Sequence, residues 1–193
     1  MLVLCLILLN GCALFTPEFN ESTIGVERGQ IFYNRVNLKT YEENKIWYSN
    51  YYQGGILIPA GTQCTIVDVT KKGITFTVQN KVYYLGRWLS ENSPEVGRVS
   101  FKKYFAEDRA TLELDKINPV FLDSVLSGIA ETGMSKKEVL LCLGYPAYLV
   151  ETEPANEYAR DFILSQNDWY YLKDGDALVL LRFKGTTLYR ILE

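Results

Sequence analysis

Apolar and polar positions alternate strictly over one stretch of this chain, where Ile74, Phe76 and Val78 interleave with Thr75, Thr77 and Gln79. That is the period of a strand with one dry and one wet face. On either side lie Thr65-Ile66-Val67-Asp68-Val69 and Val82-Tyr83-Tyr84-Leu85, runs rich in β-branched and aromatic residues, set off by Lys71-Lys72-Gly73 and Gln79-Asn80-Lys81. Short strands joined by tight turns at this spacing predict a small barrel or sandwich over residues 31–85.

Further along, the period changes. Phe121, Leu122, Val125, Leu126 and Ile129 recur at spacings of three and four, a helical stripe, with Asp123, Ser127 and Glu131 on the wet side. Asn118 caps that helix and Pro119 fits its first position. Ser135-Lys136-Lys137-Glu138 is a capping box that opens a second helix, in which Val139, Leu140 and Leu143 share a face with Cys142 at its flank. Gly144 can take the left-handed conformation that closes it, and Pro146 prevents its extension. Three strands follow, around Trp169-Tyr170-Tyr171, over residues 177–183 and over residues 187–192, the first two joined by the turn Lys173-Asp174-Gly175-Asp176. Residues 86–116 fit a strand or a short helix equally and serve as a connector. The pattern predicts an α+β chain: a β domain with connector over residues 31–117, then two helices and an antiparallel meander over residues 118–193.

The balance of 48% hydrophobic and 22% charged residues is that of a chain able to build a core. Net charge is −3 with the basic residues scattered, so nucleic acid is not an expected partner. With no His anywhere, the chain lacks the imidazole of Ser-His-Asp and Cys-His catalysis and the commonest zinc ligand. Carboxylate pairs such as Asp174 with Asp176 and Glu42 with Glu43 sit at turns or surfaces. No enzyme, metal site or cofactor is expected.

Residues 1–9 form an apolar run, too short to span a bilayer, that ends in Leu9-Asn10-Gly11-Cys12. These four residues resemble a bacterial lipobox, which implies that residues 1–11 are a signal peptide and that Cys12 is acylated and anchors the protein to a membrane. Ala13 after the Cys is compatible with export to the outer membrane, facing the periplasm. Residues 12–30 carry Pro17, Gly25 and Gly29 without a sustained period and predict a mobile tether. Cys64 and Cys142 are then the remaining pair, either two separately buried thiols or, in an oxidising envelope, a disulfide.

Two further resemblances bear on function. Ile58-Pro59-Ala60-Gly61-Thr62 before a strand and hairpin resembles the turn of bacterial SH3-like barrels. The sequence Gly133-Met134-Ser135-Lys136, Glu138-Val139-Leu140, Leu143-Gly144-Tyr145-Pro146, Trp169-Tyr170-Tyr171 and Arg182-Phe183-Lys184-Gly185 resembles the BamE/SmpA/OmlA family of small outer-membrane lipoproteins over residues 118–193. That resemblance implies a lipid-anchored, non-enzymatic helper that binds an envelope protein during outer-membrane protein assembly, although simple members lack the preceding β domain. Tyr145, Tyr148 and the polar loop of residues 150–166, with Tyr158, Arg160 and Asp161, are the candidate partner contacts. The competing reading is a cell-wall glycan or peptide module built on Trp47, Tyr48, Tyr51 and Tyr52, whose rings otherwise plug the ends of a small barrel. A homodimer paired through the last strand is a third.

Overall fold

A computed structural model describes residues 19–49, 55–86, 93–150, 153–154, 158–173 and 177–193. Cys12, Tyr51, Tyr52 and the turn at residues 174–176 lie outside them. The chain is α+β, as its periodicity predicts. Strands β1 (Ile31–Asn34), β2 (Leu38–Glu42), β3 (Lys45–Trp47), β4 (Leu57–Ile58), β5 (Gln63–Val69), β6 (Gly73–Val78), β7 (Lys81–Gly86) and β8 (Phe105–Ala106) make one curled sheet in the order β4-β2-β3-β7-β6-β5-β1-β8. Every pairing in it is antiparallel except β3 with β7.

The alternation on β6 is realised: Ile74 and Phe76 are fully buried, while Thr75 and Thr77 are half-buried on the other face. Gln79 and Asn80 join β6 to β7 with φ of 49° and 66°, the mirror-image turn whose twist matches a two-residue hairpin. At Pro59-Ala60-Gly61-Thr62 the Thr62 N–H donates to the Pro59 carbonyl and Gly61 has φ 79°. A glycine suits that position because a side chain there is strained.

The ambiguous stretch contains a helix, α1 (Pro94–Tyr104), with Pro94 in its first turn. Its aromatic face closes the curled sheet: Phe101 meets Phe32 edge-on at 5.0 Å and stacks on Phe105 at 5.0 Å, and Phe105 meets Phe76 at 5.4 Å. The sequence expectation of a tether through residue 30 is corrected at its far end. Asn20 and Thr23 form a capping box on a 3-10 turn (Glu21–Ile24), and Phe19, Ile24 and Val26 are buried. Phe19 and Ile24 lie on α1 at Gly97, where an added Cβ would come within 2.6 Å of the Phe19 ring.

The remaining elements are α2 (Leu122–Ser127), α3 (Lys136–Leu143), β9 (Tyr148–Val150), β10 (Glu153–Pro154), α4 (Arg160–Ser165), β11 (Asp168–Lys173), β12 (Ala177–Lys184) and β13 (Thr187–Leu192). Their sheet runs β10-β9-β11-β12-β13. Trp169, fully buried, packs on Phe183 at 4.5 Å and donates its indole N–H to the Ile163 carbonyl at 3.1 Å. The Ser135 capping box is present, with both reciprocal bonds to Glu138. Gly144 does take positive φ, 78°, though with extended ψ.

The helical stripe is corrected in extent. A 3-10 turn (Pro119–Phe121) precedes α2, and Gly128 at φ 69° stops the helix as the Ile129 N–H returns to the Ser124 carbonyl. Val125 alone of the five stripe residues is buried, Phe121 is half-buried, and Leu122, Leu126 and Ile129 face solvent.

The buried residues of the two sheets belong to one continuous cluster. Asn37 joins them: its side-chain amide donates to the Val125 and Cys142 carbonyls, and its oxygen accepts from the Ala60 N–H at 2.8 Å. The Asn37 N–H also donates to the Leu141 carbonyl at 2.8 Å, Ser49 bridges Gly144, and Tyr104 meets Tyr145 at 5.8 Å. The edge of β13 is covered at its start, where Leu188 exchanges bonds with Gly133 and Met134. A strand-paired homodimer would have only the later residues of β13 to use.

Candidate functional site

The joint between the sheets holds a cleft of about 130 Å³. Arg35, just past β1, reaches it from one side and Arg160, at the start of α4, from the other. Lys116, Lys137, Glu113, Glu138 and Tyr145 complete its polar wall, over a floor that includes Val36, Leu140 and Leu141.

Both carboxylates are already engaged. Glu138 accepts from the Ser135 N–H at 2.7 Å and the Asn118 N–H at 2.8 Å, and its carboxyl titrates below its ordinary range through those bonds, against the opposing and largest effect of burial. Glu113 pairs with Lys116 at 2.5 Å and lies 3.9 Å from Lys137, and the Lys116 bond lowers its titration. Its backbone is left-handed, φ 53° between two 3-10 turns, a conformation that costs about 1 kcal/mol when a Cβ is present.

Arg35 donates its Nε to the Phe105 carbonyl at 3.2 Å. Neither it nor Arg160 has an ion-pair partner among the described residues. Burial lowers the titration of Arg35, and the like charge of Arg160 lowers it further against the pull of Tyr145. Burial likewise pushes the Tyr145 hydroxyl up to about 12, despite the nearby Arg160 and Arg35. The phenol therefore stays a neutral hydrogen-bond donor at ordinary pH.

Of the candidate partner contacts, Tyr145 is buried, with the Lys103 ammonium 5.7 Å from the ring centroid, because Gly144 and Pro146 turn the chain beneath α1. Tyr148 is half-buried opposite Tyr170 in the second sheet, and Tyr158 stacks on Phe162 at 4.5 Å. Tyr48 packs against the core and its carbonyl accepts from the Tyr104 hydroxyl at 3.3 Å. Trp47 pairs with Tyr41 at 4.6 Å. On the nearby β7, the ring of Tyr84 lies over Gly73, where an added Cβ would come within 2.2 Å of it. Cys64 and Cys142 are free, buried thiols, each pushed up to about 12 by burial. Such thiols are poor nucleophiles.

Compared with known proteins, the chain matches no family model, no curated protein and no solved structure.

No cluster of three or more His, Cys, Asp or Glu able to hold a metal occurs among the described residues, and none of their helices is long and apolar enough to cross a membrane. Among the cleft's residues the sequence marks Tyr145 and Arg160 as candidate partner contacts, and Ser135, Lys137 and Glu138 only as a helix cap. Arg35 carries no local signal, since an Arg after a strand is ordinary.

Proposed function

We propose that this protein is a non-enzymatic component of a bacterial cell envelope, anchored through Cys12 to the outer membrane on its periplasmic face, that binds a protein partner. The observation that carries this reading is the aliphatic stretch left outside the core around α2: Val120 is 78% exposed, Leu122 40%, Leu126 47% and Ile129 56%. Single exposed apolar residues are common, but several large ones along one short segment mark an interaction surface. The lipobox-like Leu9-Asn10-Gly11-Cys12 supports the anchor. The α2 and α3 pair and the Trp-bearing meander β11-β12-β13, with β9, β10 and α4 between them, support the BamE/SmpA/OmlA-like reading of residues 118–193, and the Pro59-to-Thr62 turn supports the SH3-like reading of residues 31–117.

The test is cross-linking in the native envelope with the anchored protein and its Leu126→Glu, Ile129→Glu double variant. The variant is expected to keep its thermal midpoint, because both side chains already face water, and to lose the co-purifying partner. Recovery of the same partner at the same yield would overturn the surface.

A second reading, a cell-wall glycan or peptide module, is favoured by the Tyr41 and Trp47 ring pair near Tyr84 on the wet face of the curled sheet. It requires that Trp47→Ala abolish retention on wall fragments while leaving the protein folded.

A further inference from the structure

We infer that the cleft between Arg35 and Arg160 is a binding site for a phosphate dianion, free or as the end of a small monoester. The inference does not rest on the α2 surface and involves none of its residues.

Charge is the first argument. Four cations line the cleft against two carboxylates, and both carboxylates are committed, Glu138 to backbone N–H groups and Glu113 to lysines. The excess of two positive charges over the lining residues, offset in part by Asp161 near Tyr145, suits a phosphate, which carries about −1.5 to −2 near neutral pH.

Donor geometry is the second. Arg35 is held at its Nε by the Phe105 carbonyl, and its terminal nitrogens have no protein partner among the described residues. Arg160 approaches from a different element, and the Tyr145 hydroxyl adds a neutral donor without a hydrogen-bond partner among the described residues. Two guanidiniums and a hydroxyl arriving from separate elements suit a tetrahedral oxyanion, which offers acceptors in several directions, better than a planar carboxylate, which a single guanidinium satisfies.

Size and polarity are the third. At about 130 Å³ the space is well below that of a drug-sized pocket, ~300 Å³ or more, and admits a small ion or the end of a larger molecule. The aliphatic floor lowers the local dielectric and strengthens each charge-assisted bond. The two arginines, held near one another at a mutual cost and without an ion pair among the described residues, gain a counter-charge.

The experiment is calorimetric titration of the full chain in detergent with inorganic phosphate, glycerol 3-phosphate and, as the carboxylate control, acetate. Saturable binding of phosphate or of the monoester is expected, weakening as salt is raised, with acetate at least about tenfold weaker. Tighter binding of inorganic phosphate would assign the free ion, and tighter binding of glycerol 3-phosphate the monoester. Arg160→Gln, at an exposed position, is expected to fold normally and to weaken phosphate about tenfold or more. Arg35→Gln should do the same, but it also removes the bond to Phe105, so Arg160→Gln decides if the other variant does not fold. Absence of saturable binding by both phosphates, equal binding of acetate, or an unchanged affinity in Arg160→Gln would each overturn the proposal. The Leu126→Glu, Ile129→Glu variant should bind phosphate as the parent does, so loss of the partner surface and loss of this site are told apart.

Discussion

Lys103 shows how one side chain can run against its sequence. In the last turn of α1 a lysine favours the helix dipole and normally reaches water, yet here the ammonium is buried. Burial pushes it down to about 8. Below that pH the folded protein holds a charge it would better solvate when unfolded; from about pH 8 toward the ordinary 10.5, the folded state gives up its proton first and the penalty fades. Lys103→Met relieves that desolvation and removes the ammonium's contacts, that with Tyr145 among them, so the part of its effect that comes from desolvation is a gain at pH 7. The gain should shrink at pH 9.5, measured by urea denaturation at both pH values. The cysteines titrate equally in both proteins and cancel in the comparison. An advantage independent of pH would show that Lys103 is not the source. The burial of Lys103 was not legible in the sequence, because it depends on the second half of the chain closing over α1.

Elements were legible to the extent that their causes are local. The capping box of α3 is spelled out by Ser135 and Glu138, and Ser135→Ala is expected to cost about 1 kcal/mol in the midpoint of chemical denaturation. A larger loss would mean that the turn also positions Lys137 at the cleft. The hairpin at Gln79 and Asn80, the strand period of β6 and the closing meander were equally readable. The α2 stripe has the period its spacing predicts and a shorter helix than its five residues imply. Five apolar residues at helical spacing fit a longer helix, but the Gly128 stop leaves only about two turns, whose inner face has room for Val125 while Leu122 and Leu126 turn outward. Residues 94–104 mix charged and apolar positions in a way that suits either a strand or a helix, and only the aromatic interior of the curled sheet, filled by Phe101, selects the helix.

On the scale of the molecule, Asn37 is the latch between the sheets. Its carbonyl partners at Val125 and Cys142 lie 88 and 105 residues later, so nothing near Asn37 in the sequence announces them. Asn37→Ala removes the side-chain partner of the Cys142 carbonyl and of the Ala60 N–H in a buried joint, leaves the Val125 carbonyl only its bond from the Gly128 N–H, and is expected to cost about 3 kcal/mol. Because the core is continuous, the loss should appear as one lowered midpoint shared by circular dichroism and tryptophan fluorescence; two separated transitions would show that the halves unfold independently. The cleft was hidden for the same reason, its two arginines meeting only when the sheets do. The packing of Phe19 on α1, finally, sets a length. Were the lipid on Cys12, seven peptide units would separate the anchor from the packed ring of Phe19, and a fully extended chain covers no more than ~25 Å in that span. On the proposed anchoring the body would ride within a molecular diameter of its leaflet, and a partner would have to be met at the membrane surface, not across an aqueous gap.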